Sequence, residues 1–424
     1  MDRRKPRART TVILRVVAVL VAAGVLLPLT ACNTELTTVK LWSDRSDIAP
    51  IVELFNASQQ RYRVVLKYTK TPADDLLTHQ EQPDVVFGDY LANSTILPRL
   101  RSMERTLKQG DIDRSQFYAS LLELGEWNGG VRALPVSFDL PAVMFKDSPE
   151  NRSLPAFALE LETLRSEGGS FNVTEDGRAL RIGFSPRWKN EFLYAVARLL
   201  NTQFRESGDG SPVWNDAAFR EAIETLTAWT GETNGGVERE NAFEEQYLYD
   251  PALQLLRRDR IRFWYTSSSA YYRYTEGERN ELGYRWLRGE RGIPVLENVR
   301  FMGAPKGGEN QAGAAAFMKW FFAADNQRRI MEQLTDTRVR GFGLLGGFSA
   351  VRSINRNVLA QMYPSLLGNI PLPSDLSFPE RLPKNWDSLK NEVIEPWLYR
   401  EVSGMGHDAS LSEQIHSWVL QQGE

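Results

Sequence analysis

The side chains best placed to do chemistry lie where short apolar runs give way to polar turns. Trp42, Asp44 and Arg45 follow the run Thr38-Val39-Lys40-Leu41, and Asp89 and Tyr90 follow Asp84-Val85-Val86-Phe87. The first set reads as a flat stacking platform beside two hydrogen-bonding groups. The competing reading is a helix cap over a core tryptophan and, for Asp89 and Tyr90, a solvated loop. Trp188 stands at another such turn, Ser185-Pro186-Arg187-Trp188-Lys189-Asn190, where the alternative is packing under the next helix. Tyr265 opens the hydroxyl-rich run Thr266-Ser267-Ser268-Ser269, whose small side chains let a ligand approach backbone N–H groups. Their expected role is binding, and the sequence offers little support for catalysis. His79, His407 and His416 are far apart and form no His-Glu-x-x-His spacing. Gly347-Phe348-Ser349-Ala350-Val351 lacks the second glycine of a nucleophile elbow. Gly341 to Gly346 is formally Gly-x-Gly-x-x-Gly, a weak signal without a strand before it and a helix opening on its last glycine. It reads better as a flexible loop presenting Phe342 or Phe348.

The elements that must position these residues alternate. Thr38 to Trp42 is a strand, followed by a helix carrying Ile48, Ile51, Val52 and Phe55 at helical spacing. Ser46 or Asp47 is expected to cap it, with Pro50 in the first turn. Strands near Tyr62–Tyr68 and Asp84–Phe87 complete a strand–helix pattern that predicts a parallel sheet with helices on its faces. In such sheets ligands bind beyond the carboxyl ends of the strands. Val131 to Phe145 is one long extended stretch containing Pro135 and Pro141. Prolines deny ladder hydrogen bonds, so it reads as a strand that leaves one sheet and enters another. Asp139 lies within it, available either to a ligand or to an inter-lobe salt bridge. Helices then dominate: Asn190 to Phe204, a stripe of Phe219, Ala222, Ile223, Leu226 and Trp229, and Gln311 to Phe322. The tail from Leu389 to Leu420 reads as two helices separated by Gly404-Met405-Gly406.

The first 31 residues stand apart from this pattern. Six cations between Arg3 and Arg15 precede an uncharged stretch from Val16 to Ala31, too short to span a bilayer comfortably. It ends Leu29-Thr30-Ala31-Cys32, which resembles a bacterial lipobox, and Cys32 is the only cysteine of 424 residues. Cleavage there puts a diacylglycerol on Cys32 and tethers the chain to a membrane surface. It also removes six of 51 basic and one of 54 acidic residues, leaving a net charge of about −8. That balance disfavours nucleic acid as a partner. A composition of 42% apolar and 25% charged residues excludes a disordered chain and a polytopic membrane protein, and the length suggests two to three domains.

Taken together, the lipobox, the Val39-Lys40-Leu41-Trp42 strand, Pro83 to Phe87, Leu134-Pro135-Val136-Ser137-Phe138-Asp139, Met302-Gly303-Ala304-Pro305-Lys306 and Ala314 to Phe321 resemble a bacterial solute-binding lipoprotein of an ABC importer. The likeness is to the sugar-binding branch that contains maltose-binding proteins, and it covers nearly the whole mature chain. It implies a two-lobe, periplasmic-binding-protein-like α/β fold, each lobe a mainly parallel sheet flanked by helices, with the ligand cleft between them. Three crossings are then expected near Pro135–Asp139, Leu287–Pro294 and Arg338–Phe342. They place residues 38–137 and 288–337 in the N-terminal lobe, and 138–287 and 338–424 in the C-terminal lobe, after a signal peptide (1–31) and tether (32–37).

The resemblance also implies the ligand and partners. A sugar offers C–H faces to aromatic rings and hydroxyls to carboxylates, amides and guanidinium groups. The implied site is Trp42, Asp44, Arg45, Asp89, Tyr90, Asp139, Trp188, Tyr265, Ser267, Ser268, Phe348 and, where relatives set a late aromatic, Trp386. No cofactor, metal or chemical step is implied. The partners are a carbohydrate and the membrane permease of the importer; the chain acts as a lipid-anchored monomer facing the periplasm or the outside of the cell. A secreted glycoside hydrolase, a glycerol-phosphate binder and an adhesive surface lipoprotein remain as other readings.

Overall fold

A computed structural model describes residues 36–336 and 341–422. The expected signal peptide, Cys32 and Arg338 to Arg340 of the expected third crossing lie outside the described residues. The chain opens with strand β1 (Thr37–Ser43), helix α1 (Ala49–Ser58), β2 (Tyr62–Tyr68) and β3 (Val85–Asp89). β1 lies between β2 and β3 and runs parallel to both, with Val39 opposite Val64 and Leu41 opposite Val85. Val85 to Phe87 are buried, as a strand covered on both faces requires. The helix is entered through a tight turn at Ser46–Ile48, with no side-chain cap at either position. Asp47 instead bonds Arg45, whose Nε donates to Oδ1 at 2.9 Å, which removes it from capping.

β4 (Ala133–Phe138) belongs to the same sheet as β1, and β5 (Pro141–Lys146) to a second sheet. Asp139 and Leu140 are the crossing between them. Pro135 is tolerated because the ladder shifts register beside it, and Pro141 because it is the first residue of its strand. Chain then builds the second lobe: β6 (Ala158–Glu160), α2 (Asn190–Leu199), α3 (Asp216–Ala228), β7 (Trp264–Ser267) and β8 (Leu282–Arg288). It returns through residues 289–299 to β9 (Arg300–Gly303), α4 (Gln311–Phe322), α5 (Ala324–Asp336) and β10 (Phe348–Ser349).

The first sheet has the order β10-β4-β9-β3-β1-β2 and the second β7-β5-β8-β6. Neither is mainly parallel. In the first, β9 and β10 return from a crossing or a loop and run antiparallel to their neighbours. In the second, β5 is antiparallel to both β7 and β8, and only β8 with β6 is parallel. The pattern of alternating strands and helices does not specify the direction of a strand arriving from the other lobe. The stretch after the expected third crossing touches both lobes. Phe348–Ser349 pair with Phe138 and Ser137 of the first sheet, while Phe342 and Tyr363 pack on Tyr272 and Trp286 Nε1 donates to the carbonyl of Asn369 at 2.8 Å. Leu382 and Trp386 then join the second core.

The second core packs Phe184, Phe192, Trp229, Trp386 and Leu398 between α2, α3 and the C-terminal helices. Those helices begin at Trp386–Leu389, pass through a wide π turn at Lys390–Ile394, and continue as α6 (Glu395–Val402). Pro396 favours the wide turn, because it has no N–H for the carbonyl of Glu392 and its ring would press against it. The N–H of Glu395 instead reaches the carbonyl of Lys390, five residues back. Gly404, at φ +67°, ends α6 in the left-handed conformation that suits glycine.

Candidate functional site

Two groups of side chains meet where the lobes face each other. The first lies at the carboxyl ends of β1 and β3. The backbone N–H of Asp89 donates to Asp44 Oδ2 at 3.4 Å, and Asp89 Oδ1 is 3.4 Å from Arg300 Nε. Arg45 is paired with Asp47, and Arg300 reaches the carbonyl of Gly346. Burial, then the nearby charge of Asp89, pushes the Asp44 carboxyl up to about 6. Asp89 is also raised, mainly by burial, with Arg300 and Arg45 pulling the other way. Gly88 leaves room for this packing: a Cβ there would come within 3.1 Å of Asp44 Oδ2.

The second group surrounds a cavity of about 170 Å³. One wall is α2, through Glu191, Tyr194 and Arg198, whose spacing of three and four residues puts them on one face. Tyr265 of β7 and the returning segment Pro294 to Asn298 form the floor, and Asp387, Lys390 and Glu395 close the far side. Tyr90 is the first lobe's contribution. It sits at the end of β3 with φ +53°, and its hydroxyl donates to Asp387 Oδ1 of the second lobe at 3.3 Å. Two further polar contacts join the lobes. Ser94 donates its hydroxyl and its N–H to the Glu206 carboxylate, at 2.5 and 3.0 Å, and Asp74 forms an ion pair with Lys384.

Glu297 and Glu395 are the deep carboxylates of this cavity. Glu297 accepts from the hydroxyl of Tyr194 and from Trp386 Nε1, the latter at 2.7 Å, and lies 3.6 Å from Arg198. Glu395 is 5% exposed, and its Oε1 is buried with no hydrogen-bond partner. Burial first, partly offset by Lys390 and then reinforced by the charges of Glu191, Glu297 and Asp387, pushes it up to about 7. The π turn is what brings it here. A turn one residue wider places Glu395, rather than Ile394, above Lys390.

The residues expected from sequence are distributed over several environments. Tyr90 and Tyr265 line the cavity, and Asp44, Arg45 and Asp89 form the adjoining strand-end group. Asp139, 2% exposed, sits at the first crossing, where Ser269 N donates to it at 3.0 Å and the hydroxyls of Ser268 and Ser269 also donate. Its role here is to fasten the crossing to the end of β7. Ser267 caps the short helix after β7 through Ala270 N. Trp42 is packed edge-on to His79 with Lys67 above its ring, and Trp188 is stacked between Phe243 and Trp264. Phe348, 1% exposed, stacks on Phe138, and Trp386 is fully buried. These four aromatic side chains are engaged in packing, and Trp386 additionally orients Glu297.

Sequence alone does not mark Glu191, Arg198, Glu297, Asp387, Lys390 and Glu395. The available signal is α2 itself, which is apolar on nearly every face yet carries Glu191 and Arg198 in line with Tyr194.

No protein-family model matches the chain, and no curated protein matches it. Solved structures do. The sugar-binding protein MalE from Xanthomonas citri is 15% identical with a TM-score of 0.64, over 91% of this chain and 100% of its own. A sugar transporter protein from Rhizobium etli, in an open conformation, is 13% identical with a TM-score of 0.62, over 90% and 97%. An ABC substrate-binding protein from Listeria monocytogenes, in complex with cycloalternan, is 12% identical with a TM-score of 0.59, over 90% and 97%. The chain therefore has the two-lobe α/β fold of these binding proteins.

Proposed function

We propose that this chain is the ligand-capturing subunit of an ABC importer, and that it binds a carbohydrate between its lobes and hands it to a membrane permease. The observation that carries this reading is the cavity at the lobe junction, walled by ionisable side chains and tyrosine rings and closed from the first lobe by Tyr90. Rings cover the C–H faces of a sugar, and charged groups bond its hydroxyls at roughly 1.5–3 kcal/mol each. The fold supports a capture role: ligand favours the closed form through contacts that both lobes supply. A phosphate-bearing ligand is disfavoured, because Glu191, Glu297, Asp387 and Glu395 would oppose its charge. Capture proceeds without turnover, by a monomer whose Cys32 carries the lipid that holds it at the cell envelope.

Thermal denaturation with a panel of mono- and oligosaccharides tests the reading. A ligand at 100 times its Kd should add about 2.7 kcal/mol of stability and raise Tm by several degrees. No shift with any saccharide, or release of new reducing ends from an oligosaccharide, would overturn it.

A further inference from the structure

The cavity holds more negative charge than its own cations neutralise. Arg198 is committed: Nη1 donates to the carbonyl of Val295 at 2.8 Å, and Nε faces Glu297. Lys390 lies 3.8 Å from Asp387 and above the Tyr194 ring. Glu297 already has three partners. Glu395 has none for its buried Oε1, and Glu191, at the exposed rim, forms no ion pair among the described residues. A carboxylate nine-tenths buried and unpaired costs several kcal/mol unless it keeps its proton or gains a counter-charge.

We propose that the guest of this cavity is a single-ring amino sugar or aminocyclitol, with its protonated amine seated against Glu395. The inference rests on the carbohydrate reading and narrows it. A neutral hydroxyl can give Glu395 one hydrogen bond, but it leaves the repulsion among the four carboxylates in place. An ammonium group relieves that repulsion and makes a charge-assisted bond in a water-poor site, where such bonds are strongest. At about 170 Å³ the space is smaller than the roughly 300–1,000 Å³ of larger ligand sites, so one ring is the appropriate size. Tyr265 lines the cavity with Glu395, whose charge acts on it, and its hydroxyl forms no hydrogen bond among the described residues, leaving it free for a ring hydroxyl.

Isothermal titration at pH 7.5 tests the proposal with glucose, galactose and mannose, their 2-amino counterparts, N-acetylglucosamine and putrescine. At least one amino sugar should bind tenfold or more tighter than its parent sugar. In Glu395→Gln that ratio should fall to twofold or less. If this variant does not fold, Glu191→Gln at the exposed rim provides the second measurement and should lower the ratio about threefold. A parent sugar or N-acetylglucosamine binding as tightly as the amine overturns the inference and leaves the carbohydrate reading standing. Binding of putrescine with no sugar bound overturns the carbohydrate reading and leaves the demand for a cation. No binding of any probe overturns the inference, and the carbohydrate reading falls with it only if the oligosaccharides of the thermal panel also fail to bind.

Discussion

The two lobes bring acids to their junction with different neighbours. In the first lobe, Asp44 and Asp89 face the cations Arg45 and Arg300, although one oxygen of each carboxylate accepts no hydrogen bond. In the second, Glu297 is saturated by its own lobe's Tyr194, Trp386 and Arg198, but Glu395 stays bare. The first lobe reaches across through Tyr90, Ser94 and Asp74, and only Tyr90 lines the cavity, whereas under the proposal above the unpaired Glu395 of the second lobe selects the guest.

The largest expected effect strikes the saturated side. Trp386→Ala should cost roughly 3–5 kcal/mol of stability, from the lost core volume together with the stranded Glu297 carboxylate. Urea denaturation reads this directly. A loss below 1 kcal/mol would show that Glu297 is not held from the core.

The bare side should appear as a pH dependence. Glu395 titrates near 7 in the folded chain, against about 4.5 in an unfolded one, so the folded state holds the proton more tightly. Between those values unfolding releases protons, and stability falls as pH rises, by about 3 kcal/mol for this group over the window. Asp44, raised to about 6, contributes with the same sign. Glu395→Gln should remove much of the slope measured by urea titrations from pH 4.5 to pH 8. An unchanged slope would mean that the carboxyl is not poised as described.

The smallest effect belongs to Tyr90. Tyr90→Phe removes one inter-lobe hydrogen bond, worth about 0.5–1.5 kcal/mol, and should shift the ligand-free chain toward the open form without altering the ratio between amino and neutral sugars. Small-angle scattering reports the shape and titration the ratio. A changed ratio would give the first lobe a share in selection.

Much of the architecture could be read from residue patterns. Pro135 and Pro141 marked a stretch that serves two sheets, and strand ends pointed to Tyr90 and Tyr265, which line the cavity. What could not be read has physical causes. Phe348–Ser349 is a two-residue strand in a glycine-rich run, too short to show a period, so sequence does not reveal its return to the first sheet. Trp188 and Phe348 pack on other rings, and an aromatic residue at a turn looks the same in sequence whether it packs inward or faces a ligand. Asp387, Lys390 and Glu395 resemble any charged helix surface. Only the approach of the other lobe, and the local winding of their own helix, turns them into a wall.

Pro396, an imino acid outside the cavity lining, favours that winding. With alanine in its place the segment from Trp386 to Val402 could rewind as an uninterrupted α-helix, carrying Glu395 roughly a quarter of the way around the axis. The compass bearing of the bare carboxylate would then be lost although every polar side chain remained present. Under the proposed reading, ligand preference is written partly in helical phase, at a position that a comparison of contact residues alone would pass over.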